Sequence, residues 1–113
     1  MLEIQTKNIE PDIVVLELKG RITIGRDSQQ LEWAVGSLVG EGRKKVIFDL
    51  SGVSHIDSTG IGILMMSAGQ VKKAGGELRA AGASGHVEQV LKMTNVDQIV
   101  ALHPTAAAAA TGF

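Results

Sequence analysis

A serine that follows an aspartate and precedes two nearby glycines can act as a phosphate acceptor where a helix begins. Residues 57–62 of this 113-residue chain, Asp57, Ser58, Thr59, Gly60, Ile61 and Gly62, have that order. The first N–H groups of a helix lack internal partners and the helix dipole adds partial positive charge, so a hydroxyl placed there can carry a phosphate dianion. Gly60 and Gly62 each cost about 1 kcal/mol of helix propensity relative to Ala, which fits a backbone that a partner surface approaches closely. A plainer reading makes Asp57 or Ser58 an N-cap and lets the glycines shape a tight turn. Ile63 and Met66 lie off the core stripe Ile61, Leu64, Met65, Ala68 and Val71. They are expected to form an outward apolar strip beside Ser58, the alternative being burial under a neighbouring loop.

Other chemistries fit the residues less well. His55, Asp57 and Ser58 are the types found in a hydrolytic triad, but neighbours along an extended loop point in different directions and do not converge on one reacting atom. There is no G-x-S-x-G elbow and no G-x-x-x-x-G-K-[ST] loop, so an enzyme is not expected. His55, His86 and His103 are scattered and there is no cysteine, which leaves no metal site and no cofactor to expect. A formal net charge of -1 gives no basic surface for nucleic acid. No apolar run reaches the roughly 18 to 20 residues needed to cross a bilayer, and no signal sequence opens the chain, so membrane insertion is not expected and a cytoplasmic location is.

The elements that must hold this segment can be read from periodicity. Ile4 to Lys7 and Ile13 to Lys19 read as strands joined by a turn at Pro11-Asp12, the second with Val14, Leu16 and Leu18 on one face. After a break at Gly20, Arg21 to Ile24 can form a short further strand. Asp27, with Gln30 as capping-box partner, precedes a helix over about 28–39 with the stripe Leu31, Ala34, Val35 and Leu38. Val46 to Leu50 is β-branched and apolar enough for a central strand. A helix over about 58–73 ends at Gly75-Gly76. Glu77 to Ala81 follows as a strand, then a helix capped by Ser84 and closed by Thr94-Asn95, and a short apolar run Ile99 to Leu102. The alanine-rich tail, 104–113, favours helix but offers little apolar area, so it is expected to fray. Trp33 lies off its helix's main stripe and is either an interface residue or a half-buried core edge.

The stretch from Asp49, Leu50, Ser51, Gly52 and Val53 to Ile56, Asp57, Ser58, Thr59, Gly60, Ile61 and Gly62 resembles the signature of the STAS family, which includes bacterial anti-sigma-factor antagonists. The likeness extends over about residues 2–105, including GRITIGRDSQQL and KKAGGELRAAG. It implies a single α/β domain over 1–113, a mixed sheet of about four to five strands with helices mainly on one side. It implies Ser58 rather than Thr59 as phosphoacceptor, and an antagonist that binds an anti-sigma serine kinase until phosphorylated, with a serine phosphatase to reset it. Asp57, Thr59, Gly60, Gly62, Ile63, Met66, Arg21 and Thr23 are the expected partner-binding residues. Many members read G-E-[LI]-D where this chain has Gly20, Arg21, Ile22 and Thr23, so a carboxylate is missing there and Arg21 could pair with a phosphoserine or an acidic partner. The resemblance also admits an accessory role, docked without phosphorylation on a transporter ATPase or another signalling assembly.

Overall fold

The computed structural model describes residues 2–113. Its five strands are β1 (Leu2–Ile9), β2 (Ile13–Ile22), β3 (Lys45–Ile56), β4 (Glu77–Ala81) and β5 (Ala101–His103). They form one sheet in the order β1-β2-β3-β4-β5. β1 pairs antiparallel with β2, and the remaining neighbours run parallel. The helices are α1 (Arg26–Gly40), α2 (Ser58–Lys73), α3 (Gly85–Met93) and the short α4 (Ala106–Ala110).

Strand alternation decides which face is buried against what. Val14, Leu16 and Leu18 of β2 join Val46, Phe48 and Leu50 of β3 on one face, where Leu31 and Val35 of α1, Leu64 and Val71 of α2, and Val87 and Leu91 of α3 pack over them. This is the main core, and three of the four helices lie on it. The mixed sheet with helices mainly on one side is therefore what the chain forms.

β3 runs six residues beyond the expected Leu50. Its extension stays paired to β2 through Lys19 opposite Gly52, Gly20 opposite Val53 and Arg21 opposite His55, with register shifts on either side of Lys19 and Gly20. Gly20 therefore marks an irregularity inside one long β2, not a break before a further strand. Long-range pairing outweighs the weak strand propensity of Ser51 to His55. Gly25, at φ 126°, is the N-cap of α1, and Asp27 lies in its first turn, so the expected capping box of Asp27 and Gln30 does not form the start of the helix. The buried Ser28 hydroxyl donates to the Gly25 carbonyl at 2.8 Å.

The tail is also not as expected. Thr105 caps α4 through its side chain, which accepts from the Ala108 N–H at 3.0 Å. Ala109 is fully buried against Ile13, Val15, Ile47 and Ala81 on the second face of the sheet. Arg79 pins it, donating to the carbonyls of Ala109 at 2.9 Å and Thr111 at 3.1 Å, with its guanidinium 4.0 Å from the centre of the Phe113 ring. Ala109, with Ala106, Ala110 and Phe113 beside it, suffices to dock because the face it covers is already apolar. The Arg79 guanidinium, reaching over from β4, then satisfies carbonyls that the end of a short helix leaves open.

Candidate functional site

The strand-to-helix junction β3–α2 is held by one carboxylate. Asp57, in extended backbone, is the N-cap of α2, and its Oδ1 accepts from the Gly60 N–H at 2.8 Å. Its Oδ2 accepts from the Ile24 N–H at 2.9 Å, across the sheet in the loop between β2 and α1. The Asp57 N–H in turn donates to the Ile22 carbonyl at 3.3 Å. Thr23, half-buried between these two anchors, is thereby placed beside the head of α2. The hydrogen bond from Gly60, then that from Ile24, holds the Asp57 carboxyl below its ordinary pKa against the opposing effect of burial.

That depression has a sign for stability. Because the folded-state pKa lies below the unfolded one, Asp57 stabilises the fold above the ordinary carboxylate range, and the contribution fades as pH falls through the folded value. Asp57→Asn, which keeps one acceptor oxygen, is expected to cost about 1 kcal/mol at neutral pH. Chemical denaturation of both proteins from pH 7 down to about 3 should show the gap closing in acid; a gap independent of pH would contradict this role for the carboxylate.

Ser58 is the first residue of α2 and is exposed. Thr59 is half-buried behind it, and Gly60 is buried. A Cβ on Gly60 would meet the Ile22 carbonyl oxygen, and Ile56 Cγ1 lies 2.7 Å from the same point. The glycine thus answers to the sheet inside the fold, not to a partner outside. Gly62 is different: a Cβ there would meet nothing within 4 Å. The first-turn donor at Gly60, open to a phosphate in the sequence reading, is already engaged by Asp57.

The apolar surface differs from the expected strip. Ile63 is 8% exposed and belongs to the core, while Met66 is 57% exposed. Met65, assigned to the core stripe, faces outward instead. The helix is rotated relative to the expected stripe because both the sheet and α1 pack against it, so its buried arc takes in Gly60, Ile63 and Ser67 as well as Ile61, Leu64, Ala68 and Val71. Two further exposed residues complete the surface. Ile24, 78% exposed, is tied to Asp57 through its backbone. Trp33, 70% exposed on α1, lines a shallow groove with Glu32, Gly36, Met66 and Gln70. The apolar residue just before Gly25 was the available signal for Ile24: a glycine at a helix start leaves its predecessor in a loop.

Arg21 is exposed and pairs in register with His55, whose ring lies 5.7 Å from that of His86. His55 Nδ1 is 3.0 Å from the Ser54 hydroxyl. The Asp57 carboxylate holds backbone amides, and the imidazole partners a different serine, so these three residues do not assemble a triad around Ser58. Among the described residues no helix is long and apolar enough to cross a membrane.

Known proteins share this frame. A candidate anti-sigma factor antagonist of Thermotoga neapolitana is 29% identical over 97 residues, covering 86% of each chain. The crystal structure of a candidate anti-sigma factor antagonist from Thermotoga maritima superposes with a TM-score of 0.83 at 26% identity, over 92% of this chain and 88% of that one. The Bacillus cell fate determinant SpoIIAA, solved in its phosphorylated form, shares the fold at a TM-score of 0.72 and 16% identity, over 93% and 94% of the two chains. The family model of the STAS domain matches residues 5–109, and the chain belongs to the STAS domain family.

Proposed function

We propose that this protein is an anti-sigma-factor antagonist whose binding to an anti-sigma serine kinase is ended by phosphorylation of Ser58. The observation that carries the reading is an exposed serine at the first position of α2, next to a capping carboxylate that is hydrogen-bonded to exposed Ile24, with exposed Met66 two turns further along the same helix. The names of its relatives support the same role. In the unphosphorylated protein the kinase covers these apolar side chains, and the sigma factor that the kinase would otherwise hold is free.

Transfer of the γ-phosphoryl group of ATP to the Ser58 oxygen adds about -1.5 to -2 charges at neutral pH. The new charge stands directly after a carboxylate that its hydrogen bonds keep ionised, and the nearby Gly60 donor is taken. Repulsion and the cost of desolvating a dianion then oppose the complex, and no change of fold is required. A serine phosphatase restores the binding form. Asp57, Thr59, Thr23 and Gly62 frame the contact, and Arg21 lies on its sheet side; the buried Ile63 and Gly60 shape it from within.

The test is transfer of phosphate by the purified anti-sigma serine kinases of the source organism, read by intact mass and site mapping. One kinase is expected to add a single phosphate to the parent protein at Ser58 and none to Ser58→Ala. Phosphate on Thr59 or elsewhere, or on neither, overturns the proposal; an unmodified protein that copurifies with a membrane-associated ATPase would favour the accessory role instead.

A further inference from the structure

The two edges of the sheet are finished differently. β5 has only three residues and runs directly into Pro104, so few backbone groups are left open on that side. β1, at the other edge, keeps eight residues in unbroken register with β2, from Leu2 opposite Gly20 to Ile9 opposite Ile13, with no bulge, glycine or proline. As the end strand of the order β1-β2-β3-β4-β5 it is paired on one side only. Among the described residues no backbone group of a loop or helix hydrogen-bonds to residues 2–9. A long, regular edge with unpaired N–H and C=O groups is a template for one more strand.

The charges on β1 select the strand that fits. Ile4 packs on the main core and Ile9 on the second face, so alternation places Glu3, Gln5 and Lys7 together on that second face, all three exposed. Lys7 is held there by Glu17 of β2 at 3.3 Å. A second β1 laid antiparallel about Gln5 brings Glu3 of each copy opposite Lys7 of the other, and Gln5 opposite Gln5. Centring the pair on Glu3 or on Lys7 would instead set like charges face to face, and centring it on Ile4 or Thr6 would lose both ion pairs. We infer that β1 is a self-association surface, on which two copies of this chain join their sheets antiparallel about Gln5. The contact is isologous, so one patch serves both copies and the assembly closes at two. Ladder hydrogen bonds supply the attraction, and the two Glu3–Lys7 pairs fix the register. The inference does not depend on the switch at Ser58.

Sedimentation equilibrium of the full chain, from micromolar to millimolar concentration, tests this. The parent is expected to dimerise reversibly. Glu3→Lys and Lys7→Glu, each alone, set like charges opposite each other at both positions and are expected to weaken self-association about tenfold. Circular dichroism melts check that both variants stay folded. Mixed in equal amounts, the two variants regain opposite charges at both positions, and the mixture is expected to associate more tightly than either component, a recovery that general damage would not give. A parent that stays monomeric at millimolar concentration overturns the proposal. So does a dimer that neither substitution weakens, or a mixture no tighter than its components. Trp33→Ala, exposed on α1, is the control and should dimerise as the parent does; a dimer lost on that change instead would use the helical face and overturn the proposal as well.

Discussion

Ser58→Asp should bind the kinase at least a hundredfold more weakly than the parent, and Ser58→Ala should bind about as well as the parent. A hundredfold corresponds to about 2.8 kcal/mol. One carboxylate carries less charge than a phosphate, but it would be placed in the first turn after Asp57, whose own carboxylate is held ionised by two backbone donors. The complex would have to bury both next to Ile24 and Met66, and burial of unpaired charge in an apolar contact is costly. Alanine removes only a hydroxyl that is exposed in the free protein. Surface plasmon resonance with immobilised kinase separates the two, and equal affinities for aspartate and alanine variants would remove the electrostatic mechanism.

Gly60→Ala is expected to destabilise the fold by about 1–3 kcal/mol, the range for forcing an extra carbon into a packed site. The new Cβ would run into the Ile22 carbonyl and the side chains of Ile22 and Ile56, all in the sheet beneath. Relief requires the head of α2 to lift off β2, which strains the Asp57 link to both Ile22 and Ile24. Each kcal/mol lowers the melting temperature of a domain near this size by roughly 4 to 8 °C. Calorimetric melts of Gly60→Ala and Gly62→Ala therefore provide a matched pair: a fall for the first and a small rise for the second. A harmless Gly60→Ala would contradict the packing described for the junction.

Much of this architecture can be read from local pattern. The bounds of α2 and β4 follow from caps, glycines and apolar spacing, because in both elements the local signal and the tertiary contacts agree. Expectation fails where distant parts of the chain decide. The extension of β3 depends on β2 pairing with Ser51 to His55, residues with little strand preference of their own. The docking of α4 depends on an apolar strip supplied by β2, β3 and β4 and on Arg79, thirty residues away from the carbonyl it holds. Within the site, the position of Ser58 is legible from Asp57 and the helix that follows. Ile63 is not, since a helix lying on a sheet and also flanked by a second helix buries a wider arc than a single stripe implies. Gly60 carries two possible meanings in the sequence, and only the position of the Ile22 carbonyl separates them. That Trp33 lies exposed beside Gly36 and Met66 depends on how α1 packs against α2, which no sequence spacing fixes.

The arginine clasp on the final turn has a practical corollary for anyone trimming this protein. Cutting the chain before Thr105 would strip the cover from Ile13, Val15, Ile47 and Ala81 and leave a greasy seam along the rear of the sheet. Such a shortened molecule would be prone to stick to itself or to unrelated proteins through that seam. Any gain in its apparent partnerships would then report a missing lid, not a working switch.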